Sequence, residues 1–235
     1  MNIELTALIL AAGKGTRMKS KLPKVLHRVG NQPMVERVLQ LAKQMGTKRQ
    51  VIITGFGGEM VREYLGEQEE YVVQAEQLGT GHAVQMAEPL LGKEKGHILL
   101  LNGDTPIIRK ETLEALVKEH LDTGAAATIL TATPEDPTGY GRIIRSEDNH
   151  VVRIVEQKDG TAKELAVSEV NTGMYIFDSE ALWPALSKID NNNAQGELYI
   201  TDVIGILVGE GKIVSAYVTP NFEETLGVNS RVQLA

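Results

Sequence analysis

The run L-A-A-G-K-G-T-R-M, residues 10–18, holds the first set of residues able to do chemistry. Gly13 and Gly15 let the backbone approach a ligand closely and aim N–H groups into a shared concavity. Lys14, Arg17, Lys19, Lys21 and Lys24 then place five cations in eleven residues with no acid among them. That cluster suits a polyphosphate, with arginine gripping two oxygens at once and lysine acting as a point charge. A solvated loop needing positive φ would show the same residue types, so both readings stand on these residues alone. Two familiar phosphate motifs are absent. No G-x-x-x-x-G-K-[ST] occurs, and G-x-G-x-x-G fails because Met18 stands at its third glycine. The second strand also ends in Thr54 and Gly55 without a ribose-binding acid, which argues against a dehydrogenase.

The second set is L-L-L-N-G-D-T-P, residues 99–106. Asp104 follows an apolar strand, where a carboxylate beside a triphosphate would be a hard oxygen ligand for Mg²⁺. It could instead cap a helix opening near Pro106 or Lys110. The G-D-T pattern is not D-x-D, which argues against a sugar-nucleotide-dependent glycosyltransferase. Gln74 closes the third strand, and Q-L-G-T-G-H, residues 77–82, forms a second glycine loop entering a helix. A glutamine amide and main-chain groups there can read a nucleobase edge, while Thr80 could serve as that helix's N-cap. Farther on, Glu156 and Asn171 could each hydrogen-bond sugar hydroxyls or an acetamido group; residue type alone leaves this open.

The elements that must position these groups follow from hydrophobic periodicity. Strands are expected over residues 6–10, 50–54, 71–74, 97–102 and 126–131, several as continuous apolar runs typical of a parallel sheet covered on both faces. Helices are expected over 34–45, 81–91 and 110–123, the first opened by Pro33 and the last closed by Gly124. After residue 133 a Pro/Gly-rich loop precedes a hairpin of strands 142–145 and 151–155, then a strand over 170–177. Helices over 179–186 and 197–209 and a last strand over 213–218 complete the series. This alternation predicts an α/β, Rossmann-like, doubly wound and mostly parallel sheet with a small β insertion. Residues 1–228 read as the domain, and residues 229–235 as the first turns of a further helix.

Composition narrows the class. The chain has 235 residues with 24 Lys plus Arg against 31 Asp plus Glu, a net charge of −7. Such a chain repels a phosphate backbone, so nucleic-acid binding is not expected. There is no cysteine, which removes disulfides, thiol nucleophiles and Cys-ligated zinc together. The five histidines are scattered with no H-x-x-x-H pair. The apolar run at residues 5–12 is too short to span a bilayer and lacks the flanks of a signal peptide, so no membrane association and cytoplasmic residence are expected.

At these motifs the chain resembles the nucleotide-sugar pyrophosphorylases. The residues are the run at 10–18 followed by P-K-V-L at 23–26. The runs Q-A-E-Q-L-G-T-G-H-A at 74–83, N-G-D-T-P at 102–106 and G-Y-G-R-I at 139–143 also match. So do V-E-Q-K-D at 155–159, N-T-G-M-Y at 171–175, N-A-Q-G-E-L-Y-I-T-D at 193–202 and G-V-N-S-R at 227–231. Within that group the chain is similar to the N-terminal uridylyltransferase domain of the bacterial bifunctional uridylyltransferase/acetyltransferases.

The resemblance implies the nucleotide-diphospho-sugar transferase fold and Mg²⁺-dependent transfer from UTP to N-acetylglucosamine 1-phosphate. The products are UDP-N-acetylglucosamine, for peptidoglycan and lipopolysaccharide precursors, and pyrophosphate. It implies UTP on Leu10, Ala11, Ala12 and Gly13, with Gly15, Thr16 and Arg17 around the phosphates and Lys24 reaching a phosphate. Gln74, Gly79 and Thr80 would read uridine, and Gly141, Glu156 and Asn171 would hold the sugar. Asp104 and Asn229 would bind Mg²⁺. Arg17 and Lys24 are the implied catalytic residues. It further implies a parent protein that is a homotrimer through a left-handed β-helix acetyltransferase domain, connected by the helix at 229–235. The alternatives are transfer of a thymidylyl or cytidylyl group, glycosyl transfer, and a nucleotide-binding module without turnover.

Overall fold

A computed structural model describes residues 3–234; Ala235, the last residue of the expected C-terminal helix, lies outside the described residues. The chain opens with β1 (Leu5–Ala11), β2 (Arg28–Val29), β3 (Gln32–Pro33), α1 (Met34–Gln44), β4 (Arg49–Thr54), α2 (Gly58–Leu65) and β5 (Glu70–Val73). It continues through α3 (Thr80–Gln85), α4 (Glu88–Leu91), β6 (His97–Asn102), α5 (Lys110–Thr123) and β7 (Ala127–Ala132). The last third holds β8 (Arg142–Arg145), β9 (Val151–Val155), α6 (Ala162–Leu165), β10 (Val170–Asp178), α7 (Ser179–Leu186), α8 (Asp202–Gly209), β11 (Val214–Val218) and α9 (Arg231–Leu234).

The main sheet runs β11-β7-β10-β6-β1-β4-β5, with β8 and β9 attached as a hairpin beside β10. β6, β1, β4 and β5 are parallel to one another, as are β7 and β11. β10 is antiparallel to both β6 and β7, a direction that the apolar pattern does not encode. Successive residues of β1 feed opposite faces. Leu5, Ala7, Ile9 and Ala11 pack with Val35, Val38 and Leu39 of α1 and Leu113 and Leu116 of α5. Leu8 packs instead with Val84 of α3, Leu182 and Leu186 of α7, and Val203 and Leu207 of α8. Each fully buried aliphatic side chain of this kind stabilises by about 1.5–3 kcal/mol. Because the chain leaves β1 toward β4 on one side and returns to β6 on the other, the order reverses at β1. A crevice at the carboxyl ends of the strands is therefore expected there.

Three local readings are corrected. The expected helix 81–91 is two pieces, α3 and α4, because Pro89 at the start of α4 carries no N–H to continue the ladder. The expected helix 197–209 begins only at Asp202. Residues 197–200 are not helical: Leu198 donates to Leu78 O at 2.7 Å and accepts from Gly81 N at 2.7 Å, which holds the segment against the loop before α3. α2 was not expected at all: it begins at paired glycines, and of its own residues only Val61 and Leu65 are buried. Among the described residues no helix is long and apolar enough to cross a membrane.

A histidine pair, His120 buried and His97 half-buried, joins β6 to α5. His97 Nδ1 lies 3.1 Å from His120 Nε2, and His120 Nδ1 lies 3.0 Å from Thr128 Oγ1. His120 is 1% exposed, and burial together with the neighbouring His97 lowers its pKa from 6.5 to about 4. Burial also lowers His97. Between those values the unfolded chain binds more protons than the folded one, so stability falls as pH falls from about 6.5 to 4, by up to ~3 kcal/mol for His120. His120→Gln should flatten this part of the profile in urea unfolding at pH 7 and pH 4.5. Parallel profiles for parent and variant would remove the pair from the acid response.

Candidate active site

Past the carboxyl end of β1 the chain forms a loop that closes as a short 3-10 turn, Thr16–Met18. Met18 is 1% exposed and anchors the turn, while Arg17 before it stays in solvent. A second 3-10 turn, Lys24–Leu26, buries Val25 and Leu26 and brings Lys24 back under the loop. The two expected glycines act differently. Gly15 lies at φ 58, and a Cβ there would sit 2.6 Å from Lys24 Cβ, so this glycine lets the loop rest directly on Lys24. A Cβ on Gly13 would meet nothing within 4 Å.

The residues 10–13, Lys24, Gln74, Gly79, Thr80 and Asp104 line one cleft of about 260 Å³ at the switch point. Arg17, Asp104 and Asn229 line an adjoining cavity of about 410 Å³, so Asp104 faces both. Lys24 joins the two sides: its Nζ bonds the Asp104 carboxylate and, at 2.9 Å, Asn229 Oδ1. The turn after β6 that carries Asp104 is clamped to the C-terminal segment by Val228 N donating to Asp104 O at 2.9 Å. Lys14, Arg17, Lys19 and Lys21 take part in no salt bridge among the described residues.

Both capping readings are set aside by the geometry. α5 starts after Arg109 with no side-chain cap, so Asp104 caps nothing. Gly79 is the residue before α3, and Thr80 Oγ1 instead accepts from Ile200 N at 3.1 Å. Gln74 is 3% exposed, with its amide nitrogen on Gly79 O at 3.0 Å and His82 Nδ1 at 3.1 Å. Its carboxamide oxygen is thus the group left for a base edge.

Gly15 and Thr16 line neither cavity, and neither do Gly141, Glu156 and Asn171. The last three are neighbours of one another. Asn171 N donates to Gly141 O at 2.9 Å, and a Cβ on Gly141 would lie 3.4 Å from Glu156 Oε2. The Asn171 amide is already engaged, donating to Tyr175 OH at 2.7 Å and accepting from Gly173 N at 3.0 Å. Glu156 accepts from Thr201 Oγ1 at 3.0 Å and lines a third cavity of about 370 Å³ with Asp159, Asp190, Tyr199 and Asp202. Burial pushes the Glu156 carboxyl above its ordinary range, against the Thr201 bond. Burial with Asp190 and Asp159 nearby raises Asp202 to about 6.

Gln77, Asn102 and Glu197 also line the first cleft, and Thr138, Tyr140 and Thr172 the second. Sequence reasoning missed them as site residues, although most lie inside the motifs quoted above. Their position beside a loop or strand end was the available signal.

Among the described residues no three His, Asp or Glu side chains converge as a metal cage. The Asp104 carboxylate and the Asn229 amide oxygen do converge on one cation, the Lys24 ammonium. Two hard oxygen donors with room for phosphate and water oxygens suit an ion that keeps few protein ligands.

The glycine geometry sets an expected contrast. Gly15→Ala, strained by φ 58 and by contact with Lys24, should destabilise by about 1–2 kcal/mol or more. Gly13→Ala should stay within about 0.5 kcal/mol of the parent. Chemical denaturation of both variants measures this, and equal losses would refute the division of labour.

Comparisons with known proteins identify the family. A family model described as nucleotidyl transferase matches residues 6–222. The chain is 56% identical over 229 residues to the bifunctional protein GlmU of Exiguobacterium sibiricum, covering 97% of this chain and 51% of that one. It is 57% identical to the bifunctional protein GlmU of Bacillus cereus strain AH187, again over 97% of this chain and 50% of the relative. The chain thus spans about half the length of the curated relatives it matches. A crystal structure of UDP-glucose pyrophosphorylase complexed with UDP-glucose superposes with TM-score 0.80 at 19% identity, covering 99% of this chain and 96% of that one, which speaks to the fold. With the family model spanning nearly the whole sheet and the relatives matching over 229 residues, the chain belongs to the nucleotidyl transferase family.

Proposed function

We propose that this chain transfers a uridylyl group from UTP to N-acetylglucosamine 1-phosphate, giving UDP-N-acetylglucosamine and pyrophosphate. The observation that carries the reading is Lys24, held by Asp104 and Asn229 at the boundary of two adjoining cavities. Identity of 56–57% to the GlmU relatives over 229 residues supports the choice of nucleotide and sugar. Uridine occupies the cleft of Gln74, Gly79 and Thr80, and its phosphates follow the residue 10–13 backbone toward Arg17. The sugar lies toward Gly141, Glu156 and Asn171.

In the reaction a phosphate oxygen of the sugar phosphate attacks the α-phosphorus of UTP, and the bond to the β-phosphate oxygen breaks. The nucleophile is already an anion, so the site needs no general base. Its work is positioning and charge stabilisation. Arg17, exposed and without a salt bridge among the described residues, grips the phosphates that leave. Lys24 is fixed by packing under Gly15 and neutralises charge at the junction. Asp104 and Asn229 would hold a divalent cation, which we assign as Mg²⁺ and which supplies Lewis-acid neutralisation of the phosphate oxygens when bound.

The testing experiment is pyrophosphate release from UTP plus N-acetylglucosamine 1-phosphate, with EDTA, no-sugar and dTTP controls. Release that needs the sugar, the cation and UTP supports the reading; UTP binding without release, or preference for dTTP, overturns it. In that assay Arg17→Ala should lower turnover by roughly 10²–10³-fold. Asp104→Ala should lose activity and require a higher cation concentration, and an unaltered cation titration would assign the ligand role elsewhere.

A further inference from the structure

The loop of residues 133–141 contributes Thr138, Gly139 and Tyr140 to the wall facing Arg17, Asp104 and Asn229. It has no helix or strand of its own, so something else must hold its shape. Gln157 Oε1 accepts from Gly139 N at 2.9 Å and from Arg142 Nη2 at 3.1 Å. Arg142 Nη1 in turn donates to Tyr140 O. The Tyr140 ring stands edge-on to Phe222 of the segment before Asn229, with centroids 5.6 Å apart.

Arg142 is itself unusual. It is 2% exposed, its Nε has no hydrogen-bond partner, and no carboxylate forms a salt bridge with it among the described residues. A buried guanidinium is normally paired, because desolvation of the charge is otherwise uncompensated. Here its partners are a carbonyl and one glutamine oxygen. With only Asp136 of the same loop acting on it at longer range, its positive charge lies behind a loop that lines a cavity, which favours an anionic ligand on the other side of that loop.

We propose that Gln157 and Arg142 are positioning residues that fix Gly139 and Tyr140, which run directly into the sugar-side Gly141, as a wall where the phosphate of the sugar phosphate enters the cavity shared with Arg17. This rests on the uridylyl-transfer reading above. Gln157 works through a single acceptor oxygen, so a carboxylate can replace it while a hydrocarbon cannot. Gln157 is only partly buried, so both substitutions are compatible with folding.

The test compares Gln157→Leu, Gln157→Glu and the parent in two measurements. In steady-state kinetics Gln157→Leu should raise the KM for N-acetylglucosamine 1-phosphate about 3–10-fold, the loss of one hydrogen-bonding group. The KM for UTP should stay unchanged, and Gln157→Glu should restore the parental value. In amide hydrogen exchange the peptide spanning residues 133–141 should exchange faster in Gln157→Leu alone. Unchanged exchange would refute the anchoring. Faster exchange with both KM values raised alike, or no rescue by Gln157→Glu, would refute the selective role. If the parent itself releases no pyrophosphate, the uridylyl-transfer reading fails, and the exchange comparison still decides whether Gln157 anchors the loop.

Discussion

One ammonium group ties the site together. Lys24 Nζ is shared between oxygens 80 and 205 residues away in the chain, on Asp104 and Asn229. Those oxygens belong to the segment after β6 and to the C-terminal segment, while Lys24 belongs to the loop after β1. Without that cation a carboxylate and an amide oxygen would face each other across a cleft, and nothing would draw the three segments into register. A charge-assisted contact in a partly buried setting is the kind that holds geometry well. It also presents a cation between two cavities, where the chemistry of phosphate transfer needs one.

The sheet makes that contact possible. β1 lies between β4 and β6 in parallel register, so the loop after β1 and the segment after β6 emerge side by side at one edge. Antiparallel β10 then brings Asn171 and Gly141 toward the same end, with the β8–β9 hairpin beside them. Glycines at a few points permit the close approaches. Gly79, at φ 117, leaves room for Leu198 O, which a Cβ would approach to 2.4 Å.

Charge is distributed unevenly around the site in a chain that is acidic overall. Lys14, Arg17, Lys19 and Lys21, on the loop after β1, form no salt bridge among the described residues. On the far side, Glu156, Asp159, Asp190 and Asp202 gather around the third cavity, where burial and mutual repulsion raise Glu156 and Asp202. A ligand with a polyanionic end and a neutral, hydroxyl-rich end meets matching surroundings at both ends, with phosphates at the cations and hydroxyls at the acids.

Much of this was legible from the chain alone, for a local reason. Glycine spacing, the acid-free run of cations and continuous apolar strands are short-range patterns, so the class of sheet and the position of the glycine- and lysine-rich loop after its first strand could be read directly. β6, α5, β8, β9 and α7 have the expected bounds for the same reason. The direction of β10, the non-helical segment at 197–200 and the division of α3 from α4 were not legible in hydrophobic periodicity, although Pro89 itself marks the last. Each depends on hydrogen bonds or ring geometry that hydrophobic periodicity does not carry. Asn229 is the sharpest case: its residue type near a chain end says only that it could cap a helix, and it enters the site because Val228 is hydrogen-bonded to Asp104 O. Residue types and their spacing determined which chemistry was available. Only the tertiary structure decided which of those groups meet, because the contacts that join them span segments with no relation in sequence.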